Sequence, residues 1–223
     1  MTKPIGKHLV DKLLSLPNAP ALVTEASAIL EAEKKRRTEF YNEISEFEKA
    51  EFINGEIIIH SPVKKSHNDV TTLLSSLLMA YVRKNKLGYV GIEKIMIRFT
   101  RNDYEPDICF FDKKTAKTFK ATQSLFPPPN LVVEILSKKT AKNDRGIKFQ
   151  DYQDHGVEEY WIIDPVKKIV EQYQLDSEKE YQLAFKGKKG TIDCIAIKKF
   201  SINVEAIFDE AKNLLELQKI LNS

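Results

Sequence analysis

Read along the chain, the spacing of apolar positions predicts a helix, a hairpin, a second helix and then a strand-rich body. Residues 24–47 are rich in Ala, Glu, Lys and Arg, and Ala26, Ile29, Leu30, Phe40, Ile44 and Phe47 give them a partial apolar stripe, which predicts a helix. Within it, Lys34-Lys35-Arg36-Arg37 reads as a solvated face or as a phosphate contact. Residues 49–61 set Asn54-Gly55 between two apolar runs, the mark of a β-hairpin. Residues 64–86 place His67, Val70, Leu74, Leu77 and Tyr81 on one helical face. Residues 89–99 read as a strand, 101–103 as a turn and 107–111 as the next strand. There a period of two puts Asp107, Cys109 and Phe111 on one face and Ile108 with Phe110 on the other.

Residues 113–129 look like a mobile surface excursion with Pro127-Pro128-Pro129 as a stiff exit. A further apolar strand carries Glu134 on the same face as Val132 and Leu136. After it, Asp144, Lys148 and Tyr152 recur every four residues on one face of a predicted helix, with Gly156 as its stop. Residues 160–163 read as a buried strand closed at Asp164-Pro165, where Asp164 forms the turn or holds a lysine. Residues 168–175, 180–186 and 191–197 follow as a strand meander. A C-terminal helix over 204–221 could cover the sheet or make a subunit contact, so a homodimer is one expectation.

Asp107 and Glu134 are the chemistry-bearing positions of this pattern. Each is a carboxylate inside an apolar strand, and burying such a charge requires a partner or a metal. His67 on an apolar helix face reads as a core histidine or as a site residue. Asp144 and Lys148 alone would be an exposed ion pair worth ~0.3–0.5 kcal/mol.

Tyr104-Glu105-Pro106-Asp107, the Glu134 strand and a lysine together resemble the PD-(D/E)XK nuclease superfamily. The run Pro129-Asn130-Leu131-Val132-Val133-Glu134-Ile135-Leu136-Ser137, then Lys148, Tyr152, Gly156-Val157 and Glu159-Tyr160-Trp161-Ile162-Ile163-Asp164-Pro165, resembles the Uma2 family of endonucleases. The resemblance covers roughly residues 38–200. It implies an α/β fold with a mixed sheet: a restriction-endonuclease-like core over 38–223, with flanking helices, an N-terminal helical appendage over 1–37 and a C-terminal meander. It also implies Asp107, Glu134 and Lys148 as catalytic residues, and Mg²⁺ or Mn²⁺ held by Asp107, Glu134 and the carbonyl of Ile135. Glu51, His67, Asp144 and Tyr152 become accessory candidates, and DNA the expected partner. The pattern departs from the superfamily at Leu136, where the lysine normally stands, so Lys148 would supply that charge from the following helix.

Bulk properties narrow the alternatives. The 223 residues suit one domain, and 42% hydrophobic with 30% charged residues describes a globular chain without a spanning segment. A net charge of +3 and a pI near 8.6 permit a polyanionic partner but fall short of a dedicated DNA-binding module. Cys109 and Cys194 lack metal-ligand spacing and read as buried thiols, and the first residues lack the apolar core of a signal peptide. Both point to the cytoplasm. The rival readings are a nuclease-fold module that binds nucleic acid or protein without cutting, and a phosphoesterase acting on a small substrate.

Overall fold

The computed structural model describes residues 7–44 and 48–222; the first six residues and Phe47, on which parts of the sequence reading fall, lie outside them. Helices α1 (Lys7–Leu14) and α2 (Ala19–Glu43) form an N-terminal arm. Helix α2 begins earlier than its apolar stripe suggests, because Pro20 in its first turn has no N–H to leave unsatisfied. Ile29 and Leu30 of that stripe are exposed. The helix docks only further on, where Phe40 packs on Phe52 and Arg37 reaches the body of the protein. Arg37 departs from the solvated reading of its basic run. It is buried, grips both oxygens of Asp103 at 2.6 Å, and donates to the carbonyls of Phe99, Thr100 and Asn102. One continuous helix therefore crosses positions 37 and 38.

The hairpin forms as expected. β1 (Ala50–Ile53) and β2 (Glu56–Ile59) turn at Asn54 and Gly55, both with positive φ. Helix α3 (Lys65–Asn85) follows, then β3 (Gly88–Ile92) and β4 (Met96–Arg98). The single strand expected over 89–99 is two, because Glu93 and Lys94 adopt φ of 50° and 35° and send the chain into another sheet. Next come β5 (Asp103–Tyr104), β6 (Ile108–Asp112), α4 (Lys113–Ala116), β7 (Leu125–Phe126) and β8 (Leu131–Ile135). The 113–129 segment is thus not a loose excursion. It contains a helical turn and a strand, and Phe119 stacks edge-on against Phe111 and Phe126.

The helix expected to carry Asp144, Lys148 and Tyr152 is broken into α5 (Ala141–Asp144) and α6 (Ile147–Asp154). Gly146 stands at the break, where a β-carbon would meet the Lys142 carbonyl oxygen at 2.8 Å. Gly156, at φ +74°, ends α6 as expected. The chain continues through β9 (Glu159–Asp164), β10 (Ile169–Leu175) and β11 (Tyr181–Gly187), which form an antiparallel meander. β12 (Thr191–Cys194) does not extend it. It pairs instead with β13 (Phe200–Asn203) as a separate two-stranded sheet. The last expected helix is a 3-10 turn, Val204–Ile207, followed by α7 (Glu210–Asn222). Helix α7 lies against α3, with Asn213 donating to the Leu73 and Ala206 carbonyls, rather than on the sheet.

The main sheet runs β11-β10-β9-β8-β6-β3, with β8 and β9 parallel. Strand alternation divides its residues between two cores. One face packs Ile108, Phe110, Leu131 and Val133 on Val70, Leu74 and Leu77 of α3. The other packs Cys109, Phe111 and Val132 on Tyr152 of α6 and on Tyr104 of the smaller β2-β1-β5-β4-β7 sheet. Glu159, fully buried at the start of β9, ties the C-terminal strands to this body. It accepts from Trp161 Nε1, Gln172 Nε2, Cys194 Sγ and the amides of Ile195 and Ala196. Among the described residues no single helix is long and apolar enough to cross a membrane, although a bent pair over α1 and α2 meets that test by length and composition.

Candidate active site

β6 and β8 are antiparallel, with Ile108 opposite Val133. One step further that register sets Asp107 across from Glu134, and alternation turns both toward the α6 side. The two are linked through the backbone, since the Ile135 amide donates to Asp107 Oδ2 at 2.8 Å. Both are about 4% exposed, at the floor of a cleft of about 490 Å³. Its walls are the hairpin with residues 60–64 on one side and residues 136–140 with the 165–166 turn on the other.

Lys148 enters from α6 and is 2% exposed. Its ammonium lies 2.7 Å from Glu51, 3.0 Å from Glu134 and 3.4 Å from Asp144, with the Tyr104 ring beneath it. The Gly146 break matters here: it lets α5 bring Asp144 to the same ammonium that α6 carries. The Asp144–Lys148 contact is therefore buried, not an exposed pair. Tyr152 donates to Glu134 Oε1 at 2.8 Å. Glu51 also receives the Glu105 amide, and His60 lies 3.1 Å from its other oxygen. His67, at the start of α3, sets its Nε2 3.1 Å from Asp107 Oδ2.

All the sequence-derived candidates, Glu51, His67, Asp107, Glu134, Ile135, Asp144, Lys148 and Tyr152, meet at this floor or directly behind it. Asp164 does not. Its Oδ1 accepts from the amides of Val166 and Lys167, so it is the turn former. Sequence reasoning missed Lys49, whose ammonium bridges Asp107 Oδ1 at 2.7 Å and Glu93 Oε2 at 2.8 Å. It also missed Glu105 and His60. Strand alternation held the signal for two of them: Lys49 is two residues before Glu51, and Glu105 two before Asp107.

The electrostatics follow from crowding carboxylates out of water. Burial pushes Glu134 up to about 8, helped by Asp144, Asp107 and Glu51 and opposed by Lys148. Burial pushes Glu105 up to about 7. Asp107 goes the other way, because the His67 contact and the Lys49 charge more than offset its desolvation. Lys148 is held well above the usual lysine range, since Glu134, Glu51 and Asp144 outweigh burial, so it stays protonated.

These donors are of the type that holds divalent cations; among the described residues, the group whose ligand atoms all lie within 4.8 Å of one another is His67, Glu93 and Asp107. Glu51, Glu105, Asp107 and Glu134 line the floor with Asp144 behind them, and the ammonium groups of Lys49 and Lys148 contact carboxylates of this set directly. Both Asp144 oxygens are buried, with the Lys148 ammonium 3.4 Å from Oδ1. Carboxylate oxygens of this kind suit a hard cation such as Mg²⁺.

Comparison with known proteins agrees with this architecture. The family model for Uma2, described as "Putative restriction endonuclease", matches residues 38–205. An uncharacterized protein of Synechocystis sp. is 30% identical over 138 residues, which is 61% of this chain and 77% of that protein. A crystal structure from Anabaena variabilis, described as "a putative nuclease belonging to DUF820", has a TM-score of 0.66 at 18% identity. The match covers 77% of this chain and 96% of that one, and it is a likeness of fold.

Proposed function

The chain belongs to the Uma2 family, and on that premise we propose that it is a metal-dependent endonuclease hydrolysing phosphodiester bonds, with DNA as the expected substrate. The observation that carries this reading is the pairing of Asp107 with Glu134 at the floor of a cleft, with the Lys148 ammonium 3.0 Å from Glu134. Idle carboxylates there would cost stability without return.

In this reading Asp107 and Glu134 hold Mg²⁺ or Mn²⁺, with the Ile135 carbonyl as a further ligand by family likeness. The bound ion would supply Lewis-acid charge to the scissile phosphate. Lys148 orients Glu134 and Glu51 and contributes fixed positive charge. In the metal-free protein Glu134, Glu51 and Asp144 hold its proton, raising it above the usual lysine range. Tyr152 and His67 fix the two carboxylates by hydrogen bonding. Lys64, Lys138 and Lys139 at the rim, with the N-terminus of α3, offer phosphate contacts that carry no sequence preference.

One observation favours the non-cleaving alternative: both site lysines are already seated on carboxylates. A cleavage panel on double-stranded DNA, single-stranded DNA and RNA, with and without Mg²⁺ or Mn²⁺, separates the two readings. Metal-dependent cutting lost in Asp107→Ala and Glu134→Ala supports the endonuclease; binding without cutting under every condition overturns it.

A further inference from the structure

Two ammonium groups reach the floor of the cleft, and they are held differently. Lys148 is sealed, its side chain 2% exposed among three carboxylates. The Lys49 side chain is 15% exposed, lines the cleft, and bridges Asp107 Oδ1 to Glu93 Oε2. Asp107's other oxygen is taken by the Ile135 amide and faces His67. Oδ1, which takes no backbone hydrogen bond, is thus the Asp107 oxygen more open to a divalent ion, and Lys49 already stands on it. An ion there would meet a like charge at contact distance, so one of the two cations must move.

The geometry provides somewhere for the lysine to go. Glu93 sits at the left-handed turn after β3, with its side chain 35% exposed. A flexible four-carbon stem lets an ammonium exchange partners without moving the backbone. We propose that Lys49 is an exchangeable counter-ion: it holds Asp107 in the metal-free protein, yields Oδ1 to the divalent ion, and, retained by Glu93, then faces the substrate phosphate. This rests on the endonuclease reading only for its last clause. The donor atoms of His67, Glu93 and Asp107 all lie within 4.8 Å of one another, so direct ligation by Glu93 is the competing account of the same residues.

The test is Mn²⁺ affinity by calorimetry, with single-turnover cleavage alongside, on the wild type, Lys49→Met, Lys49→Arg, Glu93→Gln and the Lys49→Met/Glu93→Gln double variant. We expect Lys49→Met to bind Mn²⁺ several-fold tighter, because a competing cation is gone, yet to cut more slowly by roughly tenfold or more. Lys49→Arg keeps the charge and should bind Mn²⁺ like the wild type, which guards against reading a folding defect as an effect. Glu93→Gln should weaken binding by removing the alternative seat. The double variant should then bind like Lys49→Met, since Glu93 acts only through the lysine. Unchanged or weaker Mn²⁺ binding by Lys49→Met overturns the proposal. So does a double variant that loses as much affinity relative to Lys49→Met as Glu93→Gln loses relative to the wild type, which would make Glu93 a ligand. A wild type that binds Mn²⁺ in the expected pattern but cuts nothing removes the endonuclease reading and leaves the counter-ion exchange standing.

Discussion

The Lys148 ammonium lies 2.7 Å from Glu51, a residue of the opposite wall, and both side chains are almost wholly buried. The lysine therefore joins hairpin, sheet and helix at one point, and removing it leaves Glu51, Glu134 and Asp144 without their shared cation. Lys148→Ala should lower the stability of the metal-free protein by about 3–5 kcal/mol, the usual result of breaking a buried pair. Urea melts in chelator measure this. A loss below about 1 kcal/mol would mean that the three carboxylates find other partners. Any fall in cleavage rate for this variant has to be read at saturating metal, on protein verified to be folded.

Metal should stabilise the fold through Asp107 and Glu134. At a hundredfold excess over Kd, Mg²⁺ or Mn²⁺ adds about 2.7 kcal/mol, or roughly 5–10 °C in Tm for a chain of this size. Asp107→Asn and Glu134→Gln should each abolish most of that shift in a thermal scan. A full shift in both variants would put the ion elsewhere.

Glu134 gives the metal-free protein a pH dependence of definite sign. Its folded pKa of about 8 lies above the ordinary 4.5, so between those values the folded state binds the extra proton. Stability is then greatest below about pH 4.5 as far as this group is concerned and falls as pH rises toward 8, at up to ~1.4 kcal/mol per pH unit. Denaturant midpoints taken from pH 5 to 8 in chelator should show the decline, and Glu134→Gln should reduce it and abolish it above about pH 7, leaving below that the share of Glu105, whose pKa is raised to about 7.

Arg37 predicts a cost far from the cleft. Asp103 is completely buried, and apart from Arg37 its carboxylate meets the Tyr41 hydroxyl. Arg37→Met should destabilise by about 3–5 kcal/mol, whereas Lys35→Met, on an exposed side chain, should change stability by less than about 0.5 kcal/mol. Equal effects would show that the basic run behaves as one solvated face after all.

Much of the site was legible because its chemistry contradicts its surroundings. A carboxylate in an apolar strand is costly unless something receives it, and Asp144, Lys148 and Tyr152 at helical spacing share one face. The Asn54-Gly55 turn was legible for a local backbone reason. What escaped was set by contacts between distant segments. Nothing local distinguishes Arg37 from Arg36, yet only Arg37 faces Asp103. The 113–129 segment read as loose because its order comes from Phe119 packing on Phe111 and Phe126, and β12 read as a further meander strand because its alternation does not say which strand it will join. The broken α5–α6 helix is the instructive case. Four-residue spacing put Asp144 and Lys148 together correctly, though for a helix that is interrupted between them.

The Glu159 carboxylate has a consequence for how the molecule comes apart. Its five hydrogen-bond donors are all uncharged, and three come from residues 194–196, just beyond the main sheet. Lifting the β12–β13 ribbon would break those three hydrogen bonds together, leaving the carboxylate with Trp161 and Gln172 as its remaining donors, so the ribbon and this part of the sheet are held as a set. The C-terminal ribbon is thus coupled to the core as a single cooperative unit rather than as a fraying end, and its amides should exchange with solvent at the rate of the strands that carry Asp107 and Glu134.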